Sequence, residues 1–224
     1  MGTDDLFKKK RQRRRERKIE HLEPKPDSYL IVCEGEKTEP LYLRELASAI
    51  GGELSDRVDV PIIDIEGEGA STVALVKKAM ELRNRANFVY QHVWVVFDKD
   101  DFDDFDEAIQ LAEENEIDVA WSNPSFELWV LLHFHYIDSA LDRHQILNKV
   151  DRIFKDWCIR ESGYEKNLED LYTLLSTYGQ AQQAYQWAEK LLSRFDKSQP
   201  CSTMIPATTV HRLVRELEGL RYVS

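Results

Sequence analysis

Four apolar runs set the pattern of this chain, and helical stripes separate them. Tyr29-Leu30-Ile31-Val32-Cys33 is apolar without alternation, which predicts a parallel strand covered on both faces. It stops at Glu34-Gly35. Thr38-Glu39-Pro40 then opens a helix over Glu39–Ile50, with Thr38 as the expected N-cap, Pro40 in the first turn and Gly51-Gly52 as the stop. Val58–Ile65 is the second expected strand. It leads into the carboxylate- and glycine-rich loop Glu66-Gly67-Glu68-Gly69, and Ser71-Thr72 caps a helix to about Asn87. His92-Val93-Trp94-Val95-Val96-Phe97 is the third strand, followed by Asp98-Lys99-Asp100-Asp101 and a helix over 105–115. Asp118–Trp121 is the fourth, and Ser122-Asn123-Pro124-Ser125 turns it into the apolar helix Phe126–Phe134.

From His135 onward the strand signals vanish. Leu141–Ile159, Leu168–Tyr178, Gln180–Phe195 and Thr208–Leu220 read as helices, broken at Gly163, Gly179 and Ser198-Gln199-Pro200. The alternation predicts an α/β fold: a mainly parallel four-stranded sheet flanked by helices, with a C-terminal helical subdomain. Three regions follow: a basic arm and linker over 1–27, a core over 28–134, and helices packed on that core over 135–224.

Charge divides the chain more sharply than hydropathy does. The 224 residues carry a net charge of −11. Residues 1–18 hold nine Lys/Arg against three Asp/Glu, a net of +6, so the remainder holds −17. A basic arm on an acidic body is an arrangement linked to nucleic acid. Lys8, Lys9, Lys10, Arg11, Arg13, Arg14 and Arg15 are the candidate phosphate contacts; a solubilising tail is the alternative. No apolar run approaches the roughly 20 residues of a membrane span, and the polar start carries no secretory signal. Three scattered cysteines without a CxxC pair support neither a zinc site nor a disulfide framework. A reducing cytoplasm is the simplest location.

The chemistry gathers where strands end. Open α/β sheets bind ligands at the carboxyl edge of their strands, and Glu34, Asp98 and Asp100 are expected there together. Oxygen ligands of this kind suit Mg²⁺ or Mn²⁺, which take one or two carboxylates plus water and substrate phosphate. Glu34 either ligates that metal or relays a proton; helix capping near Thr38 is its structural alternative. Lys37 contacts a phosphate near a helix N-terminus or faces solvent. Glu36 and Glu39 are supporting acids or first-turn charges. Glu127, on an otherwise apolar helix, is costly to bury unpaired. It reaches the acidic cluster or pairs with a Lys or Arg. Lys166 neutralises a phosphate or is a plain loop residue. His133 and His135 are more readily structural than catalytic, and so is His211.

These residues carry a family resemblance. Cys33-Glu34-Gly35 after one apolar strand and Phe97-Asp98-x-Asp100 after another resemble the Toprim domain. Within it, Val32–Glu39, Asn123-Pro124-Ser125-Phe126-Glu127-Leu128-Trp129 and Tyr164-Glu165-Lys166 are similar to the RloB-like branch. The resemblance covers most of the chain from Tyr29. It departs at Gln199–Ala207, where a simpler Asn-Pro-Ser-Thr turn is expected. It implies Mg²⁺ on the DxD pair with Glu34 as acid/base or completing ligand, and cleavage of phosphodiesters in RNA, tRNA included, or DNA. It also implies a toxic effector of phage defence by abortive infection, often beside an AAA-type ATPase. The competing reading is a non-catalytic module that binds an ATPase or nucleic acid. Homo-oligomers are compatible with the sequence and not specified by it.

Overall fold

The computed structural model describes residues 22–55, 61–69, 72–99 and 103–222. Five strands form one sheet in the order β2-β1-β3-β4-β5. They are β1 (Pro24–Cys33), β2 (Ile62–Gly67), β3 (Val89–Asp98), β4 (Asp118–Asn123) and β5 (Ala207–Thr208). The first four run parallel to their neighbours, and β5 is antiparallel to β4.

The unbroken apolar runs are buried on both faces, as their composition demands. Tyr29, Ile31 and Cys33 join one core, and Leu30 and Val32 join the other. Trp94 and Val96 divide from Val93, Val95 and Phe97 in the same way. The first face is covered by α1 (Thr38–Glu53), α4 (Glu127–Leu132), α5 (Arg143–Asp156), α6 (Leu171–Tyr178), α7 (Ala181–Leu192) and α8 (Val210–Gly219). The second is covered by α2 (Thr72–Arg85) and α3 (Phe105–Glu113). Among the described residues no helix is long and apolar enough to cross a membrane.

Three expectations change. Pro24-Lys25-Pro26-Asp27, expected as a stiff linker, begins β1, with an irregular register between Lys25 and Tyr29. Gly51-Gly52 does not stop α1, which runs on to Glu53. Leu54 is buried, and its N–H donates to the Ile50 carbonyl at 3.0 Å. This anchor offsets the glycines' cost of about 1 kcal/mol each.

The third change is a fifth strand drawn from the helical C-terminal region. Its two residues are held by side chains as much as by backbone. Ser122 Oγ and Thr208 Oγ1 lie 3.0 Å apart, Trp121 N–H donates to Thr209 Oγ1 at 2.9 Å, and Thr209 N–H donates to the Trp121 carbonyl at 2.8 Å. The 199–207 loop delivers this strand. Its Ser202 N–H donates to Asp106 Oδ1, and its carbonyl accepts from Asn123 Nδ2, both at 3.0 Å. Asp106 therefore serves the loop, and Asp104 accepts from the Val73 N–H at 3.1 Å. Part of the aspartate run after β3 is structural.

Candidate active site at the carboxyl edge of the sheet

The β1–β3 ladder places the first pair of residues. Cys33 stands opposite Val96, and the Glu34 N–H continues the ladder by donating to the Val96 carbonyl at 2.8 Å. This carries Glu34 level with the end of β3. Its Oε2 accepts the Asp98 backbone N–H at 3.2 Å. From the other side, the Glu68 and Gly69 N–H groups donate to the carbonyls of Cys33 and Glu34, at 3.1 and 3.0 Å. A Cβ on Gly67 would lie 2.9 Å from the Gly35 carbonyl oxygen. Only glycine lets these two loops approach so closely.

Thr38 does not cap α1. The N-cap position is Lys37, with no side-chain cap. The Thr38 hydroxyl instead donates to the Lys166 carbonyl at 2.6 Å. It thereby ties the loop after α5 to the start of α1. Glu39 turns inward and is 8% exposed. A Cβ on Gly35 would run into its Oε2. Burial raises the Glu39 carboxyl above its ordinary range, and Glu127 adds to this while Lys166 and Arg143 oppose it. Asp98 is raised well above the usual range by burial, then by Glu39 and Glu127, against Arg143.

Glu127 opens α4 and is 2% exposed. It is not left unpaired. Ser125 Oγ donates to its Oε2 at 2.6 Å, Tyr164 Oη donates to its Oε1 at 3.5 Å, and Lys166 Nζ lies 3.4 Å from Oε1. Arg143, at the start of α5, completes the wall. Its Nη2 donates to the Pro124 carbonyl at 3.2 Å and lies 3.7 Å from Asp98 Oδ2. Glu39, Asp98, Glu127, Arg143 and Lys166 line a cleft of about 380 Å³ together with Glu34, Glu36, Lys37 and Gly69. A larger cavity of about 790 Å³ lies against β4 beside Trp94, Trp121 and Arg212. It shares no lining residue with the cleft, and the clustered carboxylates favour the smaller space as the reactive one.

A family model described as RloB-like protein matches residues 29–217. The chain belongs to the RloB-like family. No curated protein and no solved structure matches it. Every cleft residue of this RloB-like chain, from Glu34 to Lys166, falls within the matched span.

The donor set accords in kind with a hard divalent cation. The candidate donors are all oxygen, and burial first, then neighbouring carboxylates, raise Glu39 and Asp98 above the ordinary range, a cost that a cation would relieve. Among the described residues, however, no three His, Cys, Asp or Glu side chains are grouped to hold one ion. Magnesium does not require such a group, because it keeps several waters and takes one or two carboxylates plus phosphate.

The structure brings Glu34, Lys37, Asp98, Glu127 and Lys166 into one cleft. Asp100 lies outside the described residues, as do Lys8, Lys9, Lys10, Arg11, Arg13, Arg14 and Arg15. His133 is buried with Nδ1 2.9 Å from the Trp129 carbonyl, and burial lowers its pKa to about 4. His211 is buried with Nε2 2.8 Å from Glu189 Oε1. Both are structural. Arg143 is the cleft residue that sequence reasoning passed over. The nearest local signal is the capping box of Asp142, which marks where α5 starts and not that Arg143 faces the cleft.

Proposed function

We propose that this RloB-like protein is a Toprim-type, Mg²⁺-dependent nuclease that hydrolyses phosphodiester bonds in RNA or DNA. The observation that carries this reading is the contact between Glu34 and Asp98, from strands 64 residues apart in the chain, inside a cleft that also holds Lys37, Arg143 and Lys166. Glu34 and Asp98, with Asp100 beyond the described residues, would hold Mg²⁺ or Mn²⁺. The cation would neutralise charge building on the phosphate. The chain's own residues do the rest. Glu39, whose pKa is raised, keeps or gives up a proton nearer neutrality than an ordinary carboxylate does. Lys37 and Lys166 stand at the rim to receive phosphate oxygens. Glu127 fixes Lys166 and so acts as a positioning residue.

The family resemblance extends the proposal. The enzyme would be the toxic effector of a phage-defence pair acting by abortive infection in the cytoplasm, with an AAA-type ATPase as its partner and the basic arm gathering nucleic acid. The alternative is a non-catalytic module that binds an ATPase or nucleic acid through the same cleft and the basic arm.

A single assay separates the two. Purified protein is incubated with Mg²⁺ or Mn²⁺ and labelled RNA and DNA, alone and with a neighbouring ATPase, beside Glu34→Ala and Asp98→Ala. Cleavage by the parent and not by either variant supports the nuclease. Binding without cleavage under every condition supports the module.

A further inference from the structure

The cavity beside Trp94 and Trp121 takes no part in the chemistry proposed above, and its lining is of two kinds. Trp94, Ile117, Trp121 and Met204 are buried apolar side chains. Glu113, Asp118, Asp196 and Lys197 are exposed around them. In all, four carboxylates against two cations leave the lining a formal charge of −2. Glu189 is matched by His211 at 2.8 Å and Arg212 at 3.8 Å. Among the described residues, no ion pair joins Glu113, Asp118 or Asp196 to a basic side chain.

We propose that this cavity is the docking site of the chain's own basic arm, with Leu6 and Phe7 in the apolar space and Lys8, Lys9, Lys10 and Arg11 against the acidic rim. Docking withholds those four cations from nucleic acid, so the acidic body and the phosphate backbone compete for one segment. The inference goes beyond the nuclease reading and does not depend on it.

The sequence of the arm complements the cavity. Leu6 and Phe7 are the only adjacent apolar side chains in residues 1–18, and four cations follow them without a break. An apolar pair suits a tryptophan-lined space, and the cations suit its carboxylates. The volume, about 790 Å³, lies in the roughly 300–1,000 Å³ range of ligand pockets and admits both side chains.

The place where the arm joins the fold points the same way. Leu22 lines a separate cavity of about 480 Å³ with Val93 and Glu116. The next residues in the chain after those two, Trp94 and Ile117, line the larger cavity. The segment preceding Leu22 thus starts one turn of chain from the proposed site. The 15 steps from Phe7 to Leu22 cover up to about 50 Å when extended, ample for that crossing. A short tether sets an effective concentration on the millimolar scale, so modest contacts hold the arm.

Two measurements on the full chain test this, and neither reads cleavage, so failure of the nuclease reading is seen separately. In the first, p-benzoylphenylalanine replaces Phe7, the protein is irradiated, and adducts are mapped by mass spectrometry. Adducts within one chain to residues 109–121 and 192–204 are expected, and excess single-stranded RNA should remove them. Adducts elsewhere on the body, or none, overturn the inference. Adducts between copies, in a mixture of isotopically light and heavy protein, mean that the cavity takes the arm of a second copy and overturn docking within one chain.

The second measurement is anisotropy of labelled single-stranded RNA with wild type, Phe7→Ser, the rim variant Glu113→Gln/Asp118→Asn/Asp196→Asn, and their combination, with thermal melts as folding controls. Phe7→Ser leaves every charge in place and is expected to bind about 10-fold more tightly, the scale set by burying one aromatic side chain. The rim substitutions should raise affinity in wild type and do so much less once Phe7 is replaced, because both release the same arm. Unchanged affinity in Phe7→Ser, additive effects of the two sets, or no binding by any of the four proteins overturns the inference.

Discussion

Glu34 Oε2 accepts the backbone N–H of Asp98 at 3.2 Å. The acidic side chain that ends one strand is thus hydrogen-bonded to the strand beside it. Glu34→Gln keeps an acceptor oxygen for that N–H and removes only the charge. We expect it to melt within a degree of wild type and to lose cleavage about 10²-fold or more, since a cation that would supply several kcal/mol of charge stabilisation loses a charged ligand. Glu34→Ala should lose cleavage equally and melt lower. Nuclease assays paired with thermal unfolding check both. A Glu34→Gln protein that still cuts would remove Glu34 from the chemistry.

Asp98 gives a stability prediction of unusual sign. Its carboxyl is raised well above the ordinary range by burial and by Glu39 and Glu127. A raised acid pKa means that the folded protein binds protons more readily than the unfolded chain. Stability is therefore lost as pH rises from the ordinary carboxylate range through the raised folded value. At pH 7 in EDTA, Asp98→Asn should raise the melting temperature, by about 2–4 °C for each kcal/mol gained, and should flatten the acid-side pH dependence. Mg²⁺ should stabilise wild type more than the variant. Calorimetry at several pH values measures all three.

His133 titrates in the opposite sense. Its pKa is lowered to about 4 by burial, so its contribution is present above the unfolded value of 6.5 and is lost as pH falls towards 4. Its imidazole should show no NMR titration between pH 5 and 8. A midpoint near 6.5 would contradict the buried site and reopen a catalytic role.

The tie between Thr38 and Lys166 can be cut without altering charge. Thr38→Val removes the hydroxyl that donates to the Lys166 carbonyl at a cost of about 1 kcal/mol. Hydrogen exchange should speed up over residues 164–168 and stay unchanged in β1. Uniform acceleration would mean that the bond supports the whole fold and not this loop.

Gly35 tests how tightly Glu39 is wedged. A methyl group at position 35 would run into Glu39 Oε2. Gly35→Ala should cost about 1–3 kcal/mol, as overpacking does. In a Glu39→Ala background that cost should largely disappear, and a double-mutant cycle on denaturant unfolding measures the coupling.

The legible parts of this fold were those where pattern and burial coincide. Unbroken apolar runs made β1 and β3 readable, and their abrupt carboxylate ends pointed to Glu34 and Asp98. The strand Ala207–Thr208 was not readable, because two residues carry no period and their pairing depends on the hydroxyls of Ser122 and Thr209. Thr38 misled because an N-cap and a long-range donor use the same hydroxyl, and sequence cannot say which acceptor wins. Arg143 looked like any surface arginine. Its place in the cleft follows from the packing of α5 against α4, which local pattern does not encode.

The Thr38 hydroxyl meets its acceptor 128 residues further along the chain. During synthesis the amino-terminal strands therefore emerge long before Tyr164 and Lys166 exist to close round Glu127, and before Thr208 arrives beside Ser122. The cleft is thus completed only after most of the chain has been made, and a truncated product would lack one of its walls.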